Sequence, residues 1–267
     1  MTVVKNPIEV MKRTEIKYVL DPVQTRYIMQ AIKGHMMPDE YGITQIASLY
    51  YDTEDKRLIA NSIQKPPFKE KIRVRSYGLA TENSPVFLEL KRKAKGTVYK
   101  RRISTDISGV SQFFAGGSLL GSDGSFPDNR KYSESQITRE LEYFRDYYQS
   151  LKPACLIIYD RLAYFEPDGD LRITLDFNPR YRDHDLNLYT SMEGESLLPN
   201  GYCIMEIKVQ QAMPLWLCRI LSAGKIYKTS FSKYGEAYKR MMAETKESAN
   251  FTEAATEGAA TKLGHAA

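Results

Sequence analysis

An α+β domain, built on an antiparallel β-barrel with surrounding helices, is the fold class this sequence predicts. Eight segments read as strands, and most follow one another without a helix between them. A doubly wound α/β sheet needs a helix after nearly every strand, so a barrel or sandwich fits better. Nearly every strand also splits by parity into a charged stripe and an apolar stripe, because residues two apart share a face. The helices that remain need an apolar sheet surface to cover.

The elements follow in chain order. After a short arm over residues 1–10, Lys12–Leu20 is a strand rich in Thr, Ile, Tyr and Val. Asp21-Pro22 is an N-cap with Pro at the first helical position, which opens a helix to about Lys33. Ile43–Asp52, Lys69–Tyr77, Val86–Ala94 and Val98–Ile107 are four more strands, separated by Gly, Pro, Asn or Ser. Residues 115–133 are rich in Gly, Ser and Asp and read as a long surface loop. Ser133 caps a helix to about Leu151, in which Ile137, Leu141, Phe144 and Tyr148 recur at helical spacing. Pro153 ends it. Leu156–Phe165, Asp170–Phe177 and Tyr202–Val209 are strands, and helices over Pro214–Ile226 and Lys233–Ala243 close the fold. Residues 1–243 form one domain. Residues 244–267 are Ala, Thr, Glu and Gly with little to bury, which predicts a disordered tail.

Parity shows where the charges point. Arg13, Glu15 and Lys17 share a face, as do Lys71, Arg73 and Arg75. Glu89, Lys91 and Lys93 oppose Val86, Leu88 and Leu90. Lys100, Arg102, Ser104 and Asp106 share a face, as do Tyr159 and Arg161. Arg172, Thr174 and Asp176 oppose Ile173, Leu175 and Phe177, and Glu206 and Lys208 oppose Met205, Ile207 and Val209. Each strand alone is compatible with charges outside and apolar residues inside. Two features argue for the inverse. The stripes are dominated by Arg and Lys, with single carboxylates among them, whereas solvated faces mix signs more evenly. Helices covering an apolar outer surface would leave the charges lining the interior. Such an interior is costly unless filled or paired, and a threaded polyanion, a triphosphate or a polyphosphate, would neutralise it. Arg offers phosphate a planar fork, Lys a compact charge. Scattered carboxylates suit a hard divalent ion shared with phosphate oxygens.

Composition narrows the alternatives. Lys and Arg number 38 against 33 Asp and Glu, a net charge of +5 that is too modest for a nucleic-acid tail. Cys155, Cys203 and Cys218 form no zinc or C-x-x-C spacing, which suits reduced thiols in a cytoplasmic protein. No apolar run reaches the length of a membrane helix, and the first nine residues carry no signal-peptide apolar region. His35, His184 and His265 are too scattered for a metal site, and Trp216 sits in an apolar helix. Gly116-Gly117 and Gly121 lack a strand-to-helix phosphate-loop context. The 19 tyrosines are spread along both strand faces, which does not suggest base stacking for RNA. No Ser/His/Asp nucleophile motif is present.

Eight stretches carry a family resemblance: RTEIKYVL (13–20), SLYYDT (48–53), KIRVRSY (71–77), FLELKRK (87–93), YDRLAYF (159–165), LRITLDF (171–177), IMEIKV (204–209) and SKY (232–234). Together they make the chain, over about residues 10–240, resemble the VTC domain of polyphosphate polymerases. That domain belongs to the triphosphate tunnel metalloenzymes, related to the CYTH proteins. The resemblance implies phosphate-gripping cations at Lys17, Arg73, Arg75, Lys91, Arg161, Arg172 and Lys233. It implies a metal ligand at Glu206, with Tyr159 and Ser232 beside the phosphates and Glu89 and Glu15 as further metal candidates. Parity adds Lys71, Lys100 and Arg102 as substrate-binding residues. The phosphate-sensing SPX domain and the membrane domain of the eukaryotic subunits are missing from the sequence, which points to the stand-alone bacterial form. The first strand reads Arg-x-Glu-x-Lys where hydrolytic CYTH relatives carry Glu-x-Glu-x-Lys.

The expected function is transfer of the γ-phosphate of ATP to a growing polyphosphate chain, with Mn²⁺ or Mg²⁺ as cofactor. ATP and polyphosphate are then the ligands. No nucleic acid is expected, and a membrane-protein partner would leave no mark in the sequence. Two alternatives remain open: a tripolyphosphate or nucleoside-triphosphate hydrolase using the same tunnel, and a polyphosphate-binding module without catalysis.

Overall fold

The computed structural model describes residues 14–120, 132–210 and 212–245. Arg13, most of the 115–133 loop, the N-terminal arm and nearly all of the tail lie outside them. Eight long strands carry the fold: β1 (Thr14–Leu20), β3 (Thr44–Asp52), β4 (Phe68–Tyr77), β5 (Val86–Ala94), β6 (Thr97–Thr105), β7 (Lys152–Phe165), β8 (Arg172–Arg182) and β10 (Cys203–Val209). Two short pieces, β2 (Met37–Pro38) and β9 (Glu195–Ser196), pair with β7 and β8. All pairings are antiparallel, in the order β1-β10-β8-β7-β3-β4-β5-β6. The sheet curls: Lys91 of β5 lies 3.6 Å from Glu15 of β1, although the two strands stand near opposite ends of the order. The barrel is thus a curled sheet with a seam between β1 and β6. Thr229 bridges to the free edge of β1 at Lys17.

The apolar stripes face outward and are covered by helices. One core joins Ile72, Val74, Leu88, Leu90 and Ile103 to Val110 and Phe113 of α3 (Ile107–Phe114) and to Leu141 and Phe144 of α4 (Tyr132–Tyr148). A second joins Tyr18, Leu20, Ile173, Leu175, Met205 and Ile207 to Ile28 of α1 (Pro22–Ala31) and to Leu217 and Leu221 of α5 (Leu215–Ala223). Asp21 caps α1 by accepting from the Val23 and Gln24 N–H groups, and Gln24 returns the bond, a complete capping box. A third apolar cluster lies within the curl. Ile46, Tyr50, Cys155, Ile157 and Tyr159 meet Ile59 of α2 (Arg57–Ile63) and Tyr234, Ala237 and Met241 of a last helix, α6 (233–245).

Four local readings are corrected. Ile107 does not extend β6; Asp106 accepts from the Gly109 N–H and starts α3. Helix α2 lies between β3 and β4, where the sequence reading assigns no element. The helix after the long loop begins at Tyr132 and ends at Tyr148, so Ser133 lies inside it and is not its cap. Pro153 is part of β7, at a point where only β3 pairs with it, so no ladder bond is lost on the second side.

Candidate functional site

The charged stripes line the inside of the curl and gather round three carboxylates. The first is Glu89 on β5, only 2% exposed at its side chain. Arg73 approaches its Oε2 at 2.7 Å and Arg75 at 3.9 Å, while Lys100 reaches Oε1 at 3.0 Å and Arg102 at 3.6 Å. The register makes this unavoidable, since Glu89 is paired with Arg73 on one side and Arg102 on the other. Burial alone would push the Glu89 carboxyl up, but Arg73, Arg75 and Lys100 outweigh it and hold it at about 2. The Arg102 guanidinium carbon also sits over the Phe87 ring, 3.6 Å from its centroid.

The second carboxylate is Asp176 on β8. Arg161 of β7 grips it with both prongs, Nε to Oδ1 at 2.6 Å and Nη2 to Oδ2 at 2.8 Å, and Lys233 at the head of α6 donates to Oδ2 as well. Burial opposes its ionisation, and Lys233 and Arg161 overcome that and lower its pKa. The third centre is Glu206 on β10. Lys208 meets it at 2.7 Å and Lys17 at 3.5 Å, and Lys17 is also 3.5 Å from Glu15. Again burial is outweighed, here by Lys208 and Lys17, and the Glu206 pKa is lowered.

Two tyrosines join the walls. Tyr50 accepts from Arg73 Nη1 at 2.9 Å and stacks on Tyr234 at 4.3 Å. Tyr159 accepts from Arg75 Nη2 at 3.2 Å, with Lys233 4.2 Å and Arg161 5.1 Å from its ring centroid. Burial resists ionisation of both phenols, yet Arg73, Lys71 and Arg75 lower the Tyr50 pKa and Arg75 and Arg161 that of Tyr159.

Every sequence-predicted site residue lies among the described residues. Lys17, Arg73, Arg75, Lys91, Arg161, Lys233, Lys71, Lys100, Arg102, Tyr159, Glu206, Glu89 and Glu15 lie on the interior stripes or beside them. Arg172 is exposed at the start of β8, beside Lys208 on β10. The Ser232 hydroxyl accepts from the Gly235 N–H and caps α6. Three residues escaped the sequence reading: Asp176, Lys208 and Tyr50. Parity had put Asp176 and Lys208 on charged stripes, and partner geometry alone reveals their part.

Helix α6 is itself held from below. Asp52 at the end of β3 accepts from the Leu58 and Ile59 N–H groups at the start of α2 and from the Tyr234 hydroxyl at 3.1 Å. One buried carboxylate therefore fastens two helices to the sheet.

Among the described residues no three His, Cys, Asp or Glu side chains gather as a ready metal centre. Glu15 and Glu206 nonetheless supply hard oxygen donors around a common Lys17. That suits Mg²⁺ or Mn²⁺, which take one or two carboxylates and complete their shell with substrate phosphates and water. Glu89 does not fit a metal as well, since four cations already surround it. No described helix is long and apolar enough to cross a membrane.

A family model described as the VTC domain matches residues 12–242. The vacuolar transporter chaperone complex subunit 4 of Schizosaccharomyces pombe is 24% identical over 225 residues, covering 71% of this chain and 30% of that protein. The chain thus spans less than a third of that relative's length. Among solved structures, a Bacillus halodurans protein described as a candidate adenylate cyclase is similar at 13% identity and a TM-score of 0.46, covering 83% of this chain and 96% of its own. A Hippeastrum protein, described as a candidate adenylyl cyclase with a dominant triphosphatase activity, is similar at 16% identity and a TM-score of 0.45, covering 82% and 92%.

Proposed function

This chain belongs to the VTC domain family, and from that premise we propose that it is a polyphosphate polymerase. In this reading the γ-phosphoryl of ATP moves to the end of a polyphosphate chain inside the curl. A terminal phosphate oxygen of the chain forms a new P–O bond to the γ-phosphorus, the bond from that phosphorus to the bridging oxygen breaks, and ADP leaves. The observation that carries the proposal is the surplus of buried or half-buried cations over carboxylates on one continuous interior surface. Such a surplus asks for a polyanion.

The residues divide the work. Arg73, Arg75 and Arg102, pre-aligned by Glu89, present guanidinium forks to phosphate oxygens. Lys17, Lys71, Lys91 and Lys100 add point charges. Arg161 and Lys233, held by Asp176, face them from the other wall, and Arg172 extends that wall outward. Tyr159 fixes Arg75 and carries Lys233 on its ring face. Ser232 sets the head of α6 beside the phosphates. Glu206 and Glu15 would hold Mg²⁺ or Mn²⁺, which supplies charge neutralisation between phosphate groups. Phosphoryl transfer asks mainly for alignment and charge stabilisation, and a phosphate nucleophile is already ionised, so no strong base is needed. Free cysteines, two of them buried, fit a cytoplasmic protein.

The test is ³¹P spectroscopy of purified protein with ATP and Mn²⁺ or Mg²⁺. Internal polyphosphate resonances growing with ADP are expected. Orthophosphate alone would make the chain a triphosphate hydrolase, and unchanged ATP with tight polyphosphate binding would make it a receptor. Glu206→Gln should abolish metal-dependent turnover and keep polyphosphate binding; normal turnover in that variant would refute the metal assignment.

A further inference from the structure

Helices α1 and α5 lie side by side and antiparallel over the outer surface of β1 and β10. Three contacts fix that order. Gln24 Nε2 donates to the Gly224 and Lys225 carbonyls at 3.4 and 3.3 Å, the Tyr27 hydroxyl donates to the Ile220 carbonyl at 3.2 Å, and the His35 ring stacks on Trp216 at 4.1 Å. Ile28, Ile32, Leu217 and Leu221 turn down into the second core. Val23, Arg26 and Tyr27 of α1 and Leu215 and Arg219 of α5 are exposed on the opposite, outward side. Lys225, Tyr227 and Lys228 continue it beyond α5, flanking the buried Ile226.

This face has an unusual charge pattern. Asp and Glu number 33 in the chain of 267, yet none occurs in residues 22–38 or 212–235. No carboxylate pairs with Arg26, Arg219, Lys225 or Lys228 among the described residues. The nearest acidic groups stand at its borders. Asp21 is occupied by the first amides of α1, and Glu166 and Asp168 lie beside Lys33 in a cleft at the far end. Large apolar side chains are exposed among the cations: Leu215 at 73%, Tyr227 at 76% and Val23 at 66%. An ordinary solvated face intersperses both signs of charge, and a nucleic-acid surface gains little from exposed Leu and Val. An acidic bilayer uses both features, since headgroups take the cations and the acyl boundary takes Leu, Val and Tyr.

We propose that the α1–α5 face docks directly on an anionic lipid surface. Arg26, Arg219, Lys225 and Lys228 meet the headgroups, and Val23, Leu215 and Tyr227 dip to the acyl boundary. The face lies on the outer side of the strands that carry Lys17 and Glu206 inward, so docking leaves the interior open. This goes beyond the polymerase reading and does not depend on it.

The experiment is flotation of the full-length chain with phosphatidylcholine vesicles, with and without phosphatidylglycerol. Excess tripolyphosphate is present throughout, so that interior cations do not contribute. Binding is expected only to the acidic vesicles, and it should weaken as salt rises. Arg219→Gln/Lys225→Gln/Lys228→Gln should weaken it by about tenfold or more, given the attraction of each cation near an acidic leaflet. Leu215→Ser/Tyr227→Ser should weaken the binding that survives at high salt. A variant of equal charge change elsewhere, Lys65→Gln/Lys95→Gln/Arg139→Gln, should bind as the parent does. All variants should keep the parent's thermal midpoint, because the positions are exposed. Equal loss in the two triple variants, or binding to neutral vesicles alone, would overturn the proposal. So would absence of vesicle binding together with an affinity for polyglutamate that the Arg219/Lys225/Lys228 variant loses, which would assign the face to an acidic protein.

Discussion

The two walls of the interior solve the problem of concentrated positive charge differently. On β4–β6 the inward stripes carry eight cations, from Lys69 to Arg102, and a single carboxylate, Glu89. On the facing wall, β7, β8, β10 and β1 with the head of α6 carry five, Lys17, Arg161, Arg172, Lys208 and Lys233, against Glu15, Asp176 and Glu206. The first wall is under-neutralised and depends on one group. The second is nearly balanced, and its carboxylates are spread among partners. A phosphate chain has most to gain at the first wall, a divalent ion at the second. The difference teaches that the inner surface is a pairing of an anion-gripping side with a side able to take a metal.

Three changes would break or sharpen this contrast. The largest effect is expected at Glu89→Gln. Removing the shared carboxylate leaves Arg73, Arg75, Lys100 and Arg102 facing one another, and losing one partner of a buried ion pair costs about 3–5 kcal/mol. Thermal or denaturant unfolding should show that loss, and tripolyphosphate should restore much of it by binding the native state. A small loss, without rescue, would mean that the wall is not held together by this charge. The same group sets an acid limit. Its folded pKa lies below the ordinary 4.5, so its stabilisation is present above that value and is lost as pH falls from about 4.5 to about 2.

A smaller effect is expected on the balanced wall. Arg161→Lys removes the two-pronged grip on Asp176, but Lys233 remains, so the cost should be about 1.5–3 kcal/mol, the worth of a charge-assisted hydrogen bond. A cost equal to that of Glu89→Gln would erase the contrast between the walls.

The smallest concerns pH. Burial pushes the Lys71 ammonium down to about 8, with Lys69, Lys17 and Lys91 adding to the shift and Tyr50 opposing it. A lysine lowered in this way weakens the fold while charged, so its penalty fades as pH rises from about 8 towards 10.5. A bound polyanion favours the charged form, so binding should take up a proton above pH 8 and weaken modestly there. Calorimetry in buffers of different ionisation heat measures that uptake. Lys71→Gln should abolish it, and an unchanged signal would assign the proton elsewhere.

Much of this was legible in the sequence. The eight long strands and the inverted barrel follow from parity, because alternation is a property of the chain before it folds. Helix α2 was not legible. Its N-cap, Lys56, has a left-handed backbone and no side-chain cap, and the groups that satisfy its first amides belong to Thr53 and Asp52, outside the helix. Strand β8 was cut short at Asn178-Pro179, which reads as a stop. In the fold Asn178 takes a positive φ of 46° beside a register shift against β7, and the strand continues to Arg182. The cations of the site were legible by type and parity. Their division between Glu89, Asp176 and Glu206 was not, since it depends on which strands become neighbours.

The attachment of α6 has a consequence for the order in which the molecule becomes competent. Tyr234 and Asp52 are 182 positions apart, and Lys233 and Asp176 are 57 apart. Both outer cores can form from segments that precede these residues, while the inner cluster of Tyr50, Tyr159 and Ile59 closes only against α6. During synthesis, therefore, a nascent chain can acquire its covered sheet well before it acquires Lys233, and the cationic interior is finished by the last helix of the described residues to be made.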